Sequence, residues 1–215
     1  MNYYVIASIS LLVIYHLIFY IIFRVRPYKT TIGCADEILR VWAANIIEKG
    51  KDILAVQSLR NWTMASTLLA STAILIALGV INHLVNNYEL DEVTQLIVFN
   101  RMDKESWLLL KLILLTFIFF TAFLNFSLSL RSYARVGFML GTPVDSLPMI
   151  NAAGASKTLI RGARNYTLGM RGYYLAIPVI FWLFGELFFL IGTAGLIIFL
   201  YRVDFLEARK IKSKS

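Results

Sequence analysis

Four stretches of this chain are long and apolar enough to cross a bilayer as single helices: Tyr3–Phe23, Thr63–Leu84, Trp107–Leu128 and Tyr174–Tyr201. A spanning helix needs about 20 predominantly apolar residues. Each stretch holds one imidazole or charged side chain, in turn His16, His83, Lys111 and Glu186. Within hydrocarbon every backbone N–H and C=O must be bonded internally, so runs of this length must be helical. None of them alternates as the strands of a membrane barrel would. The expectation is an all-α polytopic membrane protein with four transmembrane helices, two of them extending into the cytoplasm. Composition agrees, at 59% hydrophobic and 16% charged residues with mean hydropathy +0.70, where a soluble domain carries about 25% charge. Soluble enzymes, disordered chains and basic nucleic-acid modules are thereby excluded. A single cysteine, Cys34, excludes a disulfide framework or a cysteine-rich metal site.

The first run lacks the basic start and small-residue cleavage site of a signal peptide, so it is expected to remain as an anchor. Lys and Arg set the orientation. The loop after the first run carries seven of them and the loop before the fourth carries six. The intervening loop has only Arg101 and Lys104, with Lys111 just inside the next helix, and is otherwise acidic. Loops one and three are therefore expected in the cytoplasm and the N-terminus outside, in the cell membrane (the inner membrane of a Gram-negative cell). A four-span count leaves the basic tail over 202–215 outside, against the same rule. The fourth run is also long for one crossing and short for two, which Pro178 and Gly185 explain as a kink, with a re-entrant helix as the alternative. Asp52 reads as helix straight into the second span, and the third continues past Arg131 to Gly141, Thr142 and Pro143. A shorter amphipathic helix is expected over 35–48, with Ile38, Val41, Trp42 and Ile46 on one face, lying on the membrane surface or capping the bundle.

Several constellations bear on function. Ser66, Ala70, Ala73 and Ala77 form a seam of small residues along which another helix can approach, and Gly185 and Gly192 serve the same purpose on the fourth run. Arg24, Arg60, Arg131 and Arg171 are expected in one layer near the cytoplasmic boundary, with Asn61, Asn125 and Tyr173. Arginine offers a planar fork of donors suited to phosphate or carboxylate, so this belt is a candidate site for anions or lipid headgroups. It equally serves as plain positive-inside anchoring. His16 and Glu186 are the intramembrane polar candidates. His16 and His83 differ in depth by about 18 Å, so no haem bridges them, and no ligands converge on a zinc ion. No metal and no cofactor is expected.

Together these residues carry a resemblance. Val56-Gln57-Ser58-Leu59-Arg60-Asn61 followed by Met64-Ala65-Ser66-Thr67-Leu68-Leu69-Ala70 resembles the hallmark of an uncharacterised membrane family, the domain of unknown function five-nine-nine. Tyr15-His16, Asn125-Phe126 with Ser129-Leu130-Arg131, and Arg171-Gly172-Tyr173-Tyr174 ahead of Pro178, Trp182, Phe184 and Gly185 are similar to the same family. The resemblance covers nearly the whole chain. It implies a four-helix membrane protein of unknown activity and transfers no catalytic residue. The family pattern places proline after the glycine where this chain has Glu186, which makes that residue a local feature.

No nucleophile elbow, phosphate-binding loop or paired catalytic carboxylates occur. The expected role is a non-catalytic accessory or scaffold subunit of a larger membrane complex with a lipid-binding cytoplasmic belt. Its partners would be membrane lipids and other membrane subunits or further copies of itself, with no nucleic acid. The alternative is a small homo-oligomeric transporter or channel using His16 and Glu186.

Overall fold

The computed structural model describes residues 3–49, 52–88, 104–142 and 151–206, and among them every regular element is helical. The helices are α1 (Tyr3–Val25), α2 (Thr31–Lys49), α3 (Asp52–Asn87), α4 (Lys104–Leu140), α5 (Ala152–Phe184) and α6 (Glu186–Tyr201). A single 3-10 turn at Pro27–Lys29 joins α1 to α2, and α6 widens into a π turn over Arg202–Leu206. Pro143 and the acidic loop between the second and third spans lie outside the described residues.

Five helices, not four, are long and apolar enough to cross a membrane. The expected fourth run divides at Gly185, whose φ of 145° and ψ of 167° belong to a region essentially restricted to glycine. The chain reverses there. Trp182 stacks on Phe189 at 4.6 Å, and Tyr174 meets Phe199 edge-on at 5.1 Å. Gly192 sits against Phe181 and the backbone of Pro178, so a Cβ there would lie 2.9 Å from the Phe181 ring. The run is thus a hairpin rather than a kinked rod. Its returning arm, Glu186–Phe205, has 20 residues, about 30 Å at helical rise, the thickness of the hydrocarbon core. The outgoing arm reaches that length only by including residues before Tyr174, Arg171 among them.

The α6 helix runs parallel to α1. Val5 packs with Trp182 and Phe189, Tyr15 with Leu196 and Leu200, and Phe19 meets Phe205 at 6.0 Å. The chain therefore reaches Asp204 at the end of the bundle where α1 finishes. The basic stretch thus begins, at Arg202, on the side of the bundle toward which α1 runs, where a single uninterrupted fourth span would have carried it to the opposite side. Residues 207–215 of that stretch lie outside the described residues.

The centre is an antiparallel layer of α3, α4 and α5. Ala70, Ala73 and Ala77 present a flat face into which Leu115, Phe119 and Phe126 of α4 pack, with Ala176 and Val179 from α5. Gly169 allows the closest approach of α5, since a Cβ there would stand 2.8 Å from the Phe126 ring. At one end Trp107 and Trp182 lie 6.3 Å apart, and near the other Trp62 meets Tyr166 at 5.2 Å. Paired aromatics at two depths are what membrane boundaries select.

Helices α3 and α4 have 36 and 37 residues, about 54–56 Å, well beyond a 30 Å core. Their excess at the α2 end, with the start of α5 and with α2 itself, forms a second tier. Ala43, Leu59, Tyr133, Val136 and Leu159 make its core. Of the face expected on the amphipathic helix, Ile46 is buried and Trp42 half-buried, but Ile38 and Val41 are exposed. The reason is that α2 turns the side carrying Ala43 and Ile46 inward, about a quarter of a turn round the helix from the centre of the apolar arc.

Candidate functional site

The arginine layer is built from helix register. Ser66 and Ser129 face each other across α3 and α4 with hydroxyls 3.5 Å apart. Counting outward from that pair, Arg60 and Arg131 differ in depth by about 6 Å, and both are exposed. Gly162 packs against Tyr133, so Arg164 on α5 lies near the level of Arg131. The Arg164 guanidinium sits 5.5 Å over the Phe23 ring, which brings exposed Arg24 into the same layer. The fourth arginine of the layer is therefore Arg164 rather than Arg171. Gly172 packs against Ala122, which sets Arg171 about 12 Å deeper than Arg131.

Two amides and a phenol expected in this belt divide. Asn61 is exposed beside Arg60. Asn125 lies one to two turns inside Arg131, where its Nδ2 donates to the Thr121 carbonyl at 2.9 Å. Tyr173 belongs to the core: its ring lies edge-on to Phe119 and Phe126, and its hydroxyl donates to the Leu69 carbonyl at 2.9 Å.

Arg171 anchors a cluster that sequence reasoning missed. Its Nη2 donates to both oxygens of Asp204, at 2.6 and 2.8 Å, and Tyr15 Oη donates to Oδ2 at 2.7 Å. The guanidinium also lies 4.2 Å over the Phe19 ring. The Arg171 and Asp204 side chains are only 11% and 4% exposed. Thr31 at the start of α2 donates to the Val203 carbonyl at 2.6 Å, a group presented by the π turn. The Asp204 carboxylate thus ties α1 and α5 to the turn that follows α6, and the neighbouring backbone carbonyl adds α2. Neither Asp204, read as part of a basic tail, nor Arg171, read as a boundary residue, signals its partner 33 positions away.

The intramembrane candidates separate. His16 Nδ1 lies 2.8 Å from the Leu12 carbonyl on its own helix, and its ring is half-buried. Glu186 is the first residue of α6, at the hairpin turn rather than in the middle of a span. It lies within electrostatic reach of Lys111, whose Nζ donates to the Trp182 carbonyl at 2.9 Å and caps the end of α5. Because Val5 packs with Phe189 on parallel helices, His16 and Glu186 differ in depth by about 21 Å. Ser66, Ala70, Ala73 and Ala77 are all buried. That seam is filled by α4 within the chain and offers no face to a partner. No group of three or more His, Cys, Asp or Glu able to hold a metal occurs among the described residues.

Comparison with known proteins agrees with this picture at the level of family. The family described as "Protein of unknown function, DUF599" matches residues 3–208. The chain belongs to that family. No curated protein and no solved structure matches it.

Proposed function

We propose that this member of the family is a non-catalytic accessory or scaffold subunit of a larger membrane assembly. The observation that carries the reading is the surface of the second tier. Phe138 and Ile53 are 80% and 79% exposed there, and Val56, Ile38 and Val41 are also uncovered. Ile53 with Val56, and Ile38 with Val41, form i, i+3 pairs on single helix faces. Apolar side chains left open on a tier rich in Lys and Arg fit a protein contact better than water.

The five-span topology supports an orientation. Of the fifteen Lys and Arg among the described residues, thirteen lie toward the α2 side and only Lys104 and Lys111 toward the other, a charge bias that favours a cytoplasmic α2 side. Tyr3 is then outside. Arg24, Arg60 and Arg131, with Asn61 beside them, anchor the chain in the inner headgroup layer and form its lipid-binding belt. A conduction path through His16 and Glu186 lacks support, because about 21 Å of depth separates them.

The test is chemical crosslinking and purification from native membranes of the wild type and of a Val56→Asp/Phe138→Asp variant. A stoichiometric partner held by the wild type and lost from a variant of unchanged elution volume supports the reading. A homogeneous wild-type protein carrying only lipid contradicts it.

A further inference from the structure

A cavity of about 790 Å³ opens between α2 and the overhanging part of α5. Lys157, Arg161, Arg164 and Leu168 line it from α5. Their spacing of i, i+4, i+7 and i+11 makes one continuous stripe on the helix. Arg40 faces them from α2, and Asn165 adds an amide to the wall.

The charges in this groove do not balance internally. Asp36 takes Arg164 through Nη2 at 2.6 Å and Nε at 3.2 Å, and Glu37 takes Arg40 at 2.8 Å. These pairs orient two guanidinium groups at the groove. Lys157 and Arg161 have no ion pair among the described residues. Like charges one turn apart on a helix repel each other, so an anion between them relieves a cost the free protein carries. The first turn of α5 opens on the same cavity through Ala152 and Ala153. The positive end of a 33-residue helix reinforces the field there.

The order of groups along the stripe is also informative. Cations occupy the outer two-thirds, and exposed Leu168 ends it toward the aromatic layer of Trp62 and Tyr166. A phosphoester headgroup followed by hydrocarbon has that sequence of chemistry.

We infer that the α2–α5 groove binds a phosphate-bearing ligand, its phosphate held between Lys157 and Arg161 and flanked by Arg40 and Arg164. Arginine forks and a lysine point charge are the side chains that recognise phosphate oxygens best. The site shares Arg164 with the Arg24, Arg60 and Arg131 layer, but its phosphate-holding pair, Lys157 and Arg161, lies further out along α5. It needs no protein partner, so it survives failure of the accessory reading.

Two probes separate a lipid source from a soluble one: phosphatidic acid followed by native mass spectrometry of the full chain in detergent, and inorganic pyrophosphate followed by calorimetry. Lys157→Gln/Arg161→Gln is expected to weaken binding at least about tenfold. The layer variant Arg131→Gln should stay within about threefold of the wild type, and the charge-preserving Lys157→Arg/Arg161→Lys, which keeps one fork and one point charge, should lose less than the neutral pair. Retention of phosphatidic acid alone identifies a lipid headgroup, whereas competition by pyrophosphate identifies a soluble phosphate. Binding of neither probe by the wild type overturns the inference. Equal binding by wild type and Lys157→Gln/Arg161→Gln, with matching helicity and elution, overturns it as well.

Discussion

At the scale of the residue, Asp204 matters most to how this molecule holds together. It accepts two bonds from Arg171 and one from Tyr15 in a nearly closed site. Removing one partner of a buried pair leaves the other charge without compensation, a loss of about 3–5 kcal/mol, whereas replacing both with apolar groups is often neutral. Asp204→Ala should therefore lower the stability of the detergent-solubilised protein by about that amount, and Arg171→Met/Asp204→Leu should recover most of it. Denaturation followed by helical circular dichroism measures both. A double variant no better than Asp204→Ala would show that the pair serves more than charge compensation. Depth assigned by counting residues worked for Arg24, Arg60 and Arg131, each near the end of a long apolar run. It failed for Arg171, because a paired arginine sits far deeper than a solvated one.

At the scale of the element, the hairpin at Gly185 decides the architecture. The run 174–201 is apolar on both sides of its turn, so hydropathy has no step to mark it. Glycine alone adopts the backbone geometry found there. The nearest atom to an added Cβ is 3.6 Å away, on Phe188, so there is room for a methyl group and the penalty is conformational. Gly185→Ala is expected to destabilise the fold by about 1–3 kcal/mol, read from the same denaturation curves. No measurable change would mean the turn relaxes to another conformation. The length of α4 was legible because Gly141 and Thr142 mark where its pattern stops. The packing of α2 was less so, since its buried Ala43 and Ile46 lie at the edge of the apolar arc drawn from Ile38 to Ile46.

At the scale of the whole molecule, an odd number of crossings is the central claim. Membrane class, helical content and family were readable from composition, run length and the 56–70 motif, all of which are local or summed properties. The fifth candidate span was not, because hydropathy carries no trace of the hairpin across which Arg171 meets Asp204. The most direct test is single-cysteine labelling in a Cys34→Ala background, using Tyr3→Cys, Thr142→Cys and Ser215→Cys with a membrane-impermeant maleimide in sealed vesicles of known sidedness. Five crossings predict that Thr142→Cys and Ser215→Cys react from one side and Tyr3→Cys from the other. Reaction of Ser215→Cys from the same side as Tyr3→Cys would contradict the hairpin and restore an even number of spans.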